Sequence, residues 1–338
     1  MTQVLSFISE YLDPQQACVK KYVIKYYPSS HELEMKCVKT KRKFLSRSKI
    51  LDENVSTIDF NVGNVLVLFS RELKLVDYGD EKTKELLSPQ NMKVIGIVSL
   101  DSISSLGNVI SDSIESRGLK LVNLKLIETE ENMSNVSSGS DGKVEVRLGI
   151  EVRGEHVKDK IQHVSSVVLL EEKEHDNQFS SIFPGKVLMA KYKTSSKTTC
   201  CVIKPHILKN GRAGEVIQEI LDRGFKINAA QIFHLDRDRA SEFYEAYEKL
   251  KEYNFMLNEM ISGPCLALEI DASVEEFRAS VGPFEVDTAK KLYPNSIRAK
   301  FARNNTQNAV HCTDLEGERV NELSYFFDIL ANEKYSYD

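Results

Sequence analysis

The chain has 338 residues, 41% of them apolar and 28% charged, with a formal net charge of -5. This length predicts two or three domains, and the composition excludes wholesale disorder and an overall electrostatic trap for nucleic acid. No apolar run approaches the roughly 18 residues that span a bilayer, and the N-terminus lacks the basic-then-apolar pattern of a signal peptide. Neither nucleic acid nor membrane is therefore an expected partner.

Short β-rich runs fill residues 1–90. Tyr22–Tyr27 and Glu32–Val38 read as strands around the turn Pro28–His31, and Asn64–Phe69 and Glu72–Asp77 as a second pair around Ser70-Arg71. Such a series argues a small antiparallel barrel or sandwich. The run Lys39–Lys43, with Arg47 and Lys49, is a local basic patch; it reads as a solvated loop or as a dock for an acidic surface.

In residues 91–195, Lys93–Val98 reads as a buried strand, Asn108–Arg117 as a short helix stopped by Gly118, and Lys120–Ile127 as a strand. Residues 128–143 are acidic and rich in Ser and Gly, the most loop-like stretch of the chain. Val144–Val152 is a strand, Val157–Val164 a short helix and Val167–Leu170 a strand. Glu171–Asp176 is a charged surface run and Lys186–Lys197 a linker.

Residues 197–331 are more regular. Strands at Thr198–Lys204, Phe225–Leu235, Cys265–Ile270 and Asn308–Val310 alternate with helices at Gly211–Arg223 and Val274–Val281 and with a helical pair, Arg239–Leu250 and Asn254–Ile261. A last amphipathic helix carries Val320, Leu323, Phe326, Phe327 and Leu330. The order βαβ(αα)βαβα is a ferredoxin-like split βαβ with extra helices. It brings Lys204 and His311 together at strand ends on one edge. A histidine held there can act as a nucleophile, because neutral imidazole attacks without prior deprotonation. The six cysteines show no metal spacing and read as reduced core thiols; His156, His163 and His175 are scattered and predict no metal site.

Two resemblances sharpen these expectations. Tyr11-Leu-Asp-Pro14, Tyr26-Tyr-Pro28 and above all Phe69-Ser-Arg71 with Val76-Asp-Tyr-Gly-Asp80 resemble the DM domain of axonemal proteins, which implies a pleckstrin-homology-like β fold over residues 1–90. Ile203-Lys-Pro205, Ser262-Gly-Pro264, Ser296-Ile-Arg298 and Asn308-Ala-Val-His311-Cys-Thr-Asp314 resemble a nucleoside diphosphate kinase over residues 197–331. That resemblance implies His311 as phosphoacceptor and Glu322 as the residue that orients it. It implies nucleotide binding by Lys204, Tyr244, Arg298 and Asn308, and Mg²⁺ with ATP or GTP if the site is active, otherwise no cofactor. Where the family has Lys-Pro-Asp, this chain has Lys204-Pro-His206. Counted back from Ser262, a phosphate-binding arginine falls on Leu250 and a base-stacking phenylalanine on Glu252; a threonine falls near Pro283 or Phe284. Efficient turnover is therefore not expected, since one lost donor at the phosphates removes about 2–4 kcal/mol.

Residues 91–195 resemble a second, degenerate copy of the same domain. Ser99 stands where Lys204 stands, and no counterpart of the Asn-x-x-His segment is found. The expected class is α+β: a pleckstrin-homology-like β domain, then two ferredoxin-like nucleoside diphosphate kinase-type domains. The order DM domain, kinase-like copy, kinase-like copy resembles a family of axonemal proteins. That implies a microtubule inner protein of ciliary doublets, with α/β-tubulin and other inner proteins as partners, in the axoneme and basal body. A nucleotide-sensing adaptor at γ-tubulin nucleation sites and a kinase run by the C-terminal copy alone are the other readings.

Overall fold

A computed structural model describes residues 4–13, 16–52, 55–88, 92–100, 102–129, 145–162, 164, 167–170 and 190–332. Contacts divide the chain into two units, Met1–Asn91 and Met92–Asp338.

The first unit is an antiparallel sheet of β1 (Leu5–Asp13), β2 (Cys18–Tyr27), β3 (Glu32–Cys37), β4 (Lys43–Lys49), β5 (Val65–Leu68) and β6 (Arg71–Tyr78), in the order β4-β3-β2-β1-β6-β5. Every second residue of β2 from Tyr22 to Tyr26 is buried, as are Leu33 and Met35 of β3 and Leu73 and Leu75 of β6. This is the period-two pattern of a sheet with one face on a core. Tyr26 stacks on Phe60 at 3.8 Å between centroids. Phe69 and Ser70 both take positive φ, 50° and 60°, which suits the tight β5–β6 turn to the twist of its strands. The Asp77-Tyr-Gly-Asp80 motif has a structural reading. Gly79 lies so close to Ser6 and Phe7 that a Cβ would sit 2.9 Å from the Phe7 nitrogen. Asp80 then caps α1 (Glu81–Leu87) by accepting from Thr83 N at 2.8 Å. Six strands and a closing helix make the pleckstrin-homology-like β domain.

The second unit holds both kinase-like copies. The first copy runs β7 (Lys93–Ser99), α2 (Leu106–Ser113), β8 (Lys120–Thr129), β9 (Glu145–Arg153), α3 (Val157–Ile161) and β10 (Val167–Leu169). The second runs β11 (Thr199–Ile203), α4 (Pro205–Lys209), α5 (Ala213–Asp222), β12 (Lys226–Phe233), α6 (Arg237–Phe243), α7 (Tyr253–Ile261), β13 (Cys265–Asp271) and α8 (Val274–Val281). It ends with α9 (Val286–Leu292), α10 (Ile297–Phe301), β14 (Val310–Cys312) and α11 (Arg319–Ser324), which continues as a π-helical turn, Tyr325–Leu330. One eight-stranded sheet carries them all in the order β10-β7-β9-β8-β12-β13-β11-β14. Each half is therefore the ferredoxin-like order of strands four, one, three and two, and the halves join through their second strands.

The joint is a local two-fold. Gln231 pairs with Lys125, and these residues hold equivalent positions, opposite Ala267 in β13 and Gly149 in β9. Helix α2 of the first copy and α5 of the second cross beside it at matching glycines. A Cβ on Gly107 would lie 2.4 Å from Gln218 N, and one on Gly214 would lie 2.5 Å from Ser111 N. Each helix start is completed by the other copy: Glu115 accepts from Ala213 N and Gly214 N at 2.8 and 3.0 Å, and Gln218 accepts from Asn108 N at 3.0 Å. Burial raises the Glu115 carboxyl, against those two bonds. Leu124, Ile150, Ile217 and Leu268 belong to one core that runs through both copies.

Several expectations change. Lys43–Lys49 is an edge strand, not part of a loop. Pro205 starts α4 instead of only ending β11, as proline at a first helical position does. The helix expected over 239–250 stops at Phe243, and α9 and α10 were not foreseen. The last strand of the second copy is Val310–Cys312, so His311 lies within it. Cys18 is exposed and Cys37 half-buried, so these two are not core thiols. The expected linker is tied down where it is described: Lys191 N donates to both oxygens of Glu269, at 3.0 and 2.8 Å. Most of the Ser/Gly-rich loop, the Glu171–Asp176 run, His163 and His175 lie outside the described residues. Among the described residues, no helix is long and apolar enough to cross a membrane.

Candidate active site

The second copy carries a cleft of about 580 Å³ lined by Lys204, Tyr244, Arg278, Arg298, Asn308 and His311, among others. Its position follows from the sheet. β14 pairs with β11, setting His311 opposite Val202 and Val310 opposite Ile203. The strand leaves Lys204 at its end, with Lys204 N donating to Ala309 O at 3.0 Å. Ala309 has φ 70°, and Val310 N reaches back to Asn308 O at 2.9 Å, the hydrogen bond of a γ-turn. This turn type is strained for a residue with a Cβ, costing about 1–3 kcal/mol. It turns the chain sharply between Asn308 and His311, and both line the cleft.

Glu322 of α11 lies behind the histidine. His311 Nε2 donates to Glu322 Oε1 at 3.0 Å, and Thr313 Oγ1 donates to Glu322 Oε2 at 2.7 Å. The carboxylate selects the tautomer with its proton on Nε2, so the Nδ1 lone pair is left for the cleft. Phe243, Tyr244 and Tyr247 surround the imidazole edge-on, at 4.9, 5.8 and 6.2 Å between centroids. They hold the ring in one plane.

Three cations line the cleft. Lys204 is 2% exposed and donates from Nζ to Thr306 O at 2.9 Å; desolvation lowers its pKa to about 7, opposed by the charge of Glu259. Arg298 is braced by Gly282 O at 2.9 Å and Val310 O at 3.1 Å, and its Nε has no partner. Arg278 of α8 pairs with Asp314, which also accepts from the Tyr247 hydroxyl. Tyr244 Oη and Asn308 Oδ1 are likewise buried without partners. Buried polar atoms are rarely left so, and all three belong to residues that line the cleft.

His206, which departs from the family pattern, lies beneath Lys204. Its amide and Nδ1 both donate to Glu259 Oε1, at 2.9 and 2.8 Å, and Gln307 Nε2 donates to Oε2 at 3.0 Å. Burial pushes the Glu259 carboxyl up, but the hydrogen bonds from His206 and the charge of Lys209 outweigh it and hold the carboxyl below the usual range. Burial lowers the His206 pKa, so the imidazole is neutral and the pair carries one negative charge below Lys204.

The structure thus brings Lys204, Tyr244, Arg298, Asn308 and His311 around one cleft, with Glu322 behind. Arg278 was missed by sequence reasoning, which looked for the phosphate cation at Leu250. Its only sequence signal is a basic residue late in α8, four positions before Gly282. Leu250 does line the cleft, but as a 45% exposed apolar side chain. In the first copy, β10 is the counterpart of β14, contrary to expectation. Its register places Val168 opposite Ile97, as His311 lies opposite Val202. The position survives, but the nucleophile is valine. Among the described residues, no cluster of His, Cys, Asp and Glu could hold a metal ion.

The family model for nucleoside diphosphate kinase matches residues 197–330. The rat protein named nucleoside diphosphate kinase homolog 7 is 33% identical over 375 residues, covering 97% of this chain and 93% of that one. The chain belongs to the nucleoside diphosphate kinase homolog 7 family. The mouse homolog 7 is 32% identical with the same coverage. The nucleoside diphosphate kinase of Aquifex aeolicus is 30% identical over 131 residues, 38% of this chain and 92% of that enzyme. A crystal structure of the Aquifex aeolicus kinase covers 40% of this chain and 97% of its own, at 28% identity and a TM-score of 0.38. The family is thus matched over nearly the whole chain, and the kinases proper over the copy that holds His311.

Proposed function

We propose that the C-terminal copy accepts the γ-phosphoryl group of a nucleoside triphosphate on His311. The Nδ1 lone pair attacks the γ-phosphorus, the bond to the β,γ-bridging oxygen breaks, and that oxygen leaves with the electron pair on a nucleoside diphosphate. Transfer to a second nucleoside diphosphate is the same step reversed. Mg²⁺ enters with the substrate phosphates. Arg278, Arg298 and Lys204 offset the charge on the transferring group, while Glu322 stabilises the imidazole as it gains positive character. One observation carries this reading: the Glu322–Nε2 bond leaves Nδ1 for a cleft that also holds three cations and unpartnered Tyr244 and Asn308. Arg278 supplies the phosphate cation whose absence was expected. The test is acid-labile labelling by γ-labelled ATP with Mg²⁺, followed by a GDP chase, with His311→Ala as control.

A structural role accompanies this one. The first copy keeps strand order, core and pairing while valine holds the nucleophile's position. A fold kept without its chemistry favours assembly, here as an inner protein of ciliary doublet microtubules bound to α/β-tubulin and neighbouring inner proteins. Its test is salt extraction of isolated axonemes. The chain should stay with the doublets, and His311→Ala should stay equally; release with the soluble fraction would count against this reading.

A further inference from the structure

Glu259 of α7 does not line the cleft, yet it holds two of the segments that do. It is 6% exposed, and Lys204, His206 and Gln307 around it are each 3% exposed or less. Oε1 of Glu259 accepts from the amide and the Nδ1 of His206, and Oε2 accepts from Gln307 Nε2. One carboxylate therefore ties α7 to the start of α4 and to the segment that enters β14. That segment is a compact turn, in which Asn304 Oδ1 accepts from Thr306 N at 3.1 Å and from Gln307 N at 2.8 Å. Thr306 O in turn accepts from Lys204 Nζ. Lys204 directly precedes α4, and Asn308 directly follows Gln307. An aspartate at 206 would set a second carboxylate beside Glu259; the histidine supplies a donor instead.

We propose that Glu259 is a positioning residue for transfer to His311, a role that rests on the phosphoryl-transfer reading of the cleft: it anchors both the backbone that presents Lys204 and the turn that leads into Asn308. Its charge has a second effect. Desolvation disfavours the ammonium form of Lys204, and the Glu259 carboxylate opposes that, so the amine keeps more of its charge for the phosphates. The other groups that act on Lys204 are Arg298 of α10, which works against its charge, and the Cys312 thiol of β14, which favours it. His206 of α4 is neutral because burial lowers its pKa, and Lys209 of α4 acts on Glu259 itself.

The experiment measures binding of the β,γ-imido analogue of ATP, with Mg²⁺, to the full chain by calorimetry in buffers of different ionisation enthalpy. The native protein, Glu259→Gln and Gln307→Met are compared. Glutamine keeps the volume of Glu259 and an acceptor for His206, but not the charge. At pH 6.5, proton uptake on binding should rise from about a quarter of a proton in the native chain to about three quarters in Glu259→Gln, as a fall of about one unit at Lys204 requires. Gln307→Met keeps the charge but frees the turn, so uptake should stay native while affinity falls about tenfold. A carboxylate with a merely structural role would lower the unfolding temperature of Glu259→Gln and leave its proton uptake at the native value. That result would overturn the proposal. Native affinity in Gln307→Met would also overturn it, and this variant decides the matter if Glu259→Gln fails to fold. A native chain that binds no nucleotide would overturn the phosphoryl-transfer reading, and this role with it.

Discussion

Gln231 and Lys125 lie opposite each other at the register pair that, among the described residues, joins the two kinase-like copies, and each occupies the same place in its own copy. The chain therefore contains, within itself, a two-fold pair of domains of which one half carries the nucleophile. Stability of the whole unit depends on this joint.

The crossing of α2 and α5 should not tolerate added volume. Gly214→Ala places a methyl 2.5 Å from Ser111 N and 2.7 Å from Gly107 O, both rigid backbone. It should destabilise the second unit by about 1–3 kcal/mol in denaturant unfolding, the usual cost of overpacking. Gly317→Ala, whose Cβ would meet nothing within 4 Å, should be neutral by the same measurement.

Removing the carboxylate behind the nucleophile should slow labelling without abolishing it. Glu322→Gln keeps the volume but weakens a charge-assisted bond of about 1.5–3 kcal/mol, so phosphohistidine should form about ten- to a hundredfold more slowly. Rapid-quench labelling measures this.

Arg278→Ala should reduce labelling by about a hundred- to a thousandfold, as for other lost cationic or oxyanion donors, with unchanged thermal unfolding. The Arg278 side chain is 43% exposed at the cleft wall, so its loss leaves no buried gap. A variant that labels at the wild-type rate would remove Arg278 from the site.

Binding of triphosphate should be linked to the proton on Lys204. Desolvation lowers this amine to about 7 in the free protein, and a bound phosphate raises it again. Nucleotide affinity should therefore fall as pH rises from 7 to 9, and binding at pH 8 should take up a proton, seen by calorimetry in buffers of different ionisation enthalpy. Lys204→Met should abolish the uptake. The stability sign runs in the other direction. The unfolded lysine keeps its proton to about 10.5 while the folded one loses it near 7, so between those values the unfolded state binds more protons and stability from this group rises with pH.

Much of this architecture was legible from periodicity. Burial repeats on β2 and β6 and at the Val274–Val281 helix follow the apolar pattern, and the βαβ alternation predicts the strand order that places Lys204 beside His311. What was not legible has particular causes. β4 is an edge strand whose two apolar residues, Phe44 and Leu45, are adjacent instead of alternate, so nothing in its alternation marks a strand. α4 begins on a proline that also reads as a strand terminator. Arg278 gains meaning only when α8 is laid beside β14, a relation that spacing along the chain does not encode. Val168 is recognised as the counterpart of His311 only by register, since the segments around them differ.

The most direct test of the account is transfer itself. Purified protein is incubated with γ-labelled ATP and Mg²⁺, then chased with excess GDP, beside His311→Ala. The account predicts acid-labile label on the protein that passes into GTP and is missing in the variant. Absence of label on the native chain, or equal label on His311→Ala, would contradict it and leave the cleft as the remnant of a site on a purely structural fold.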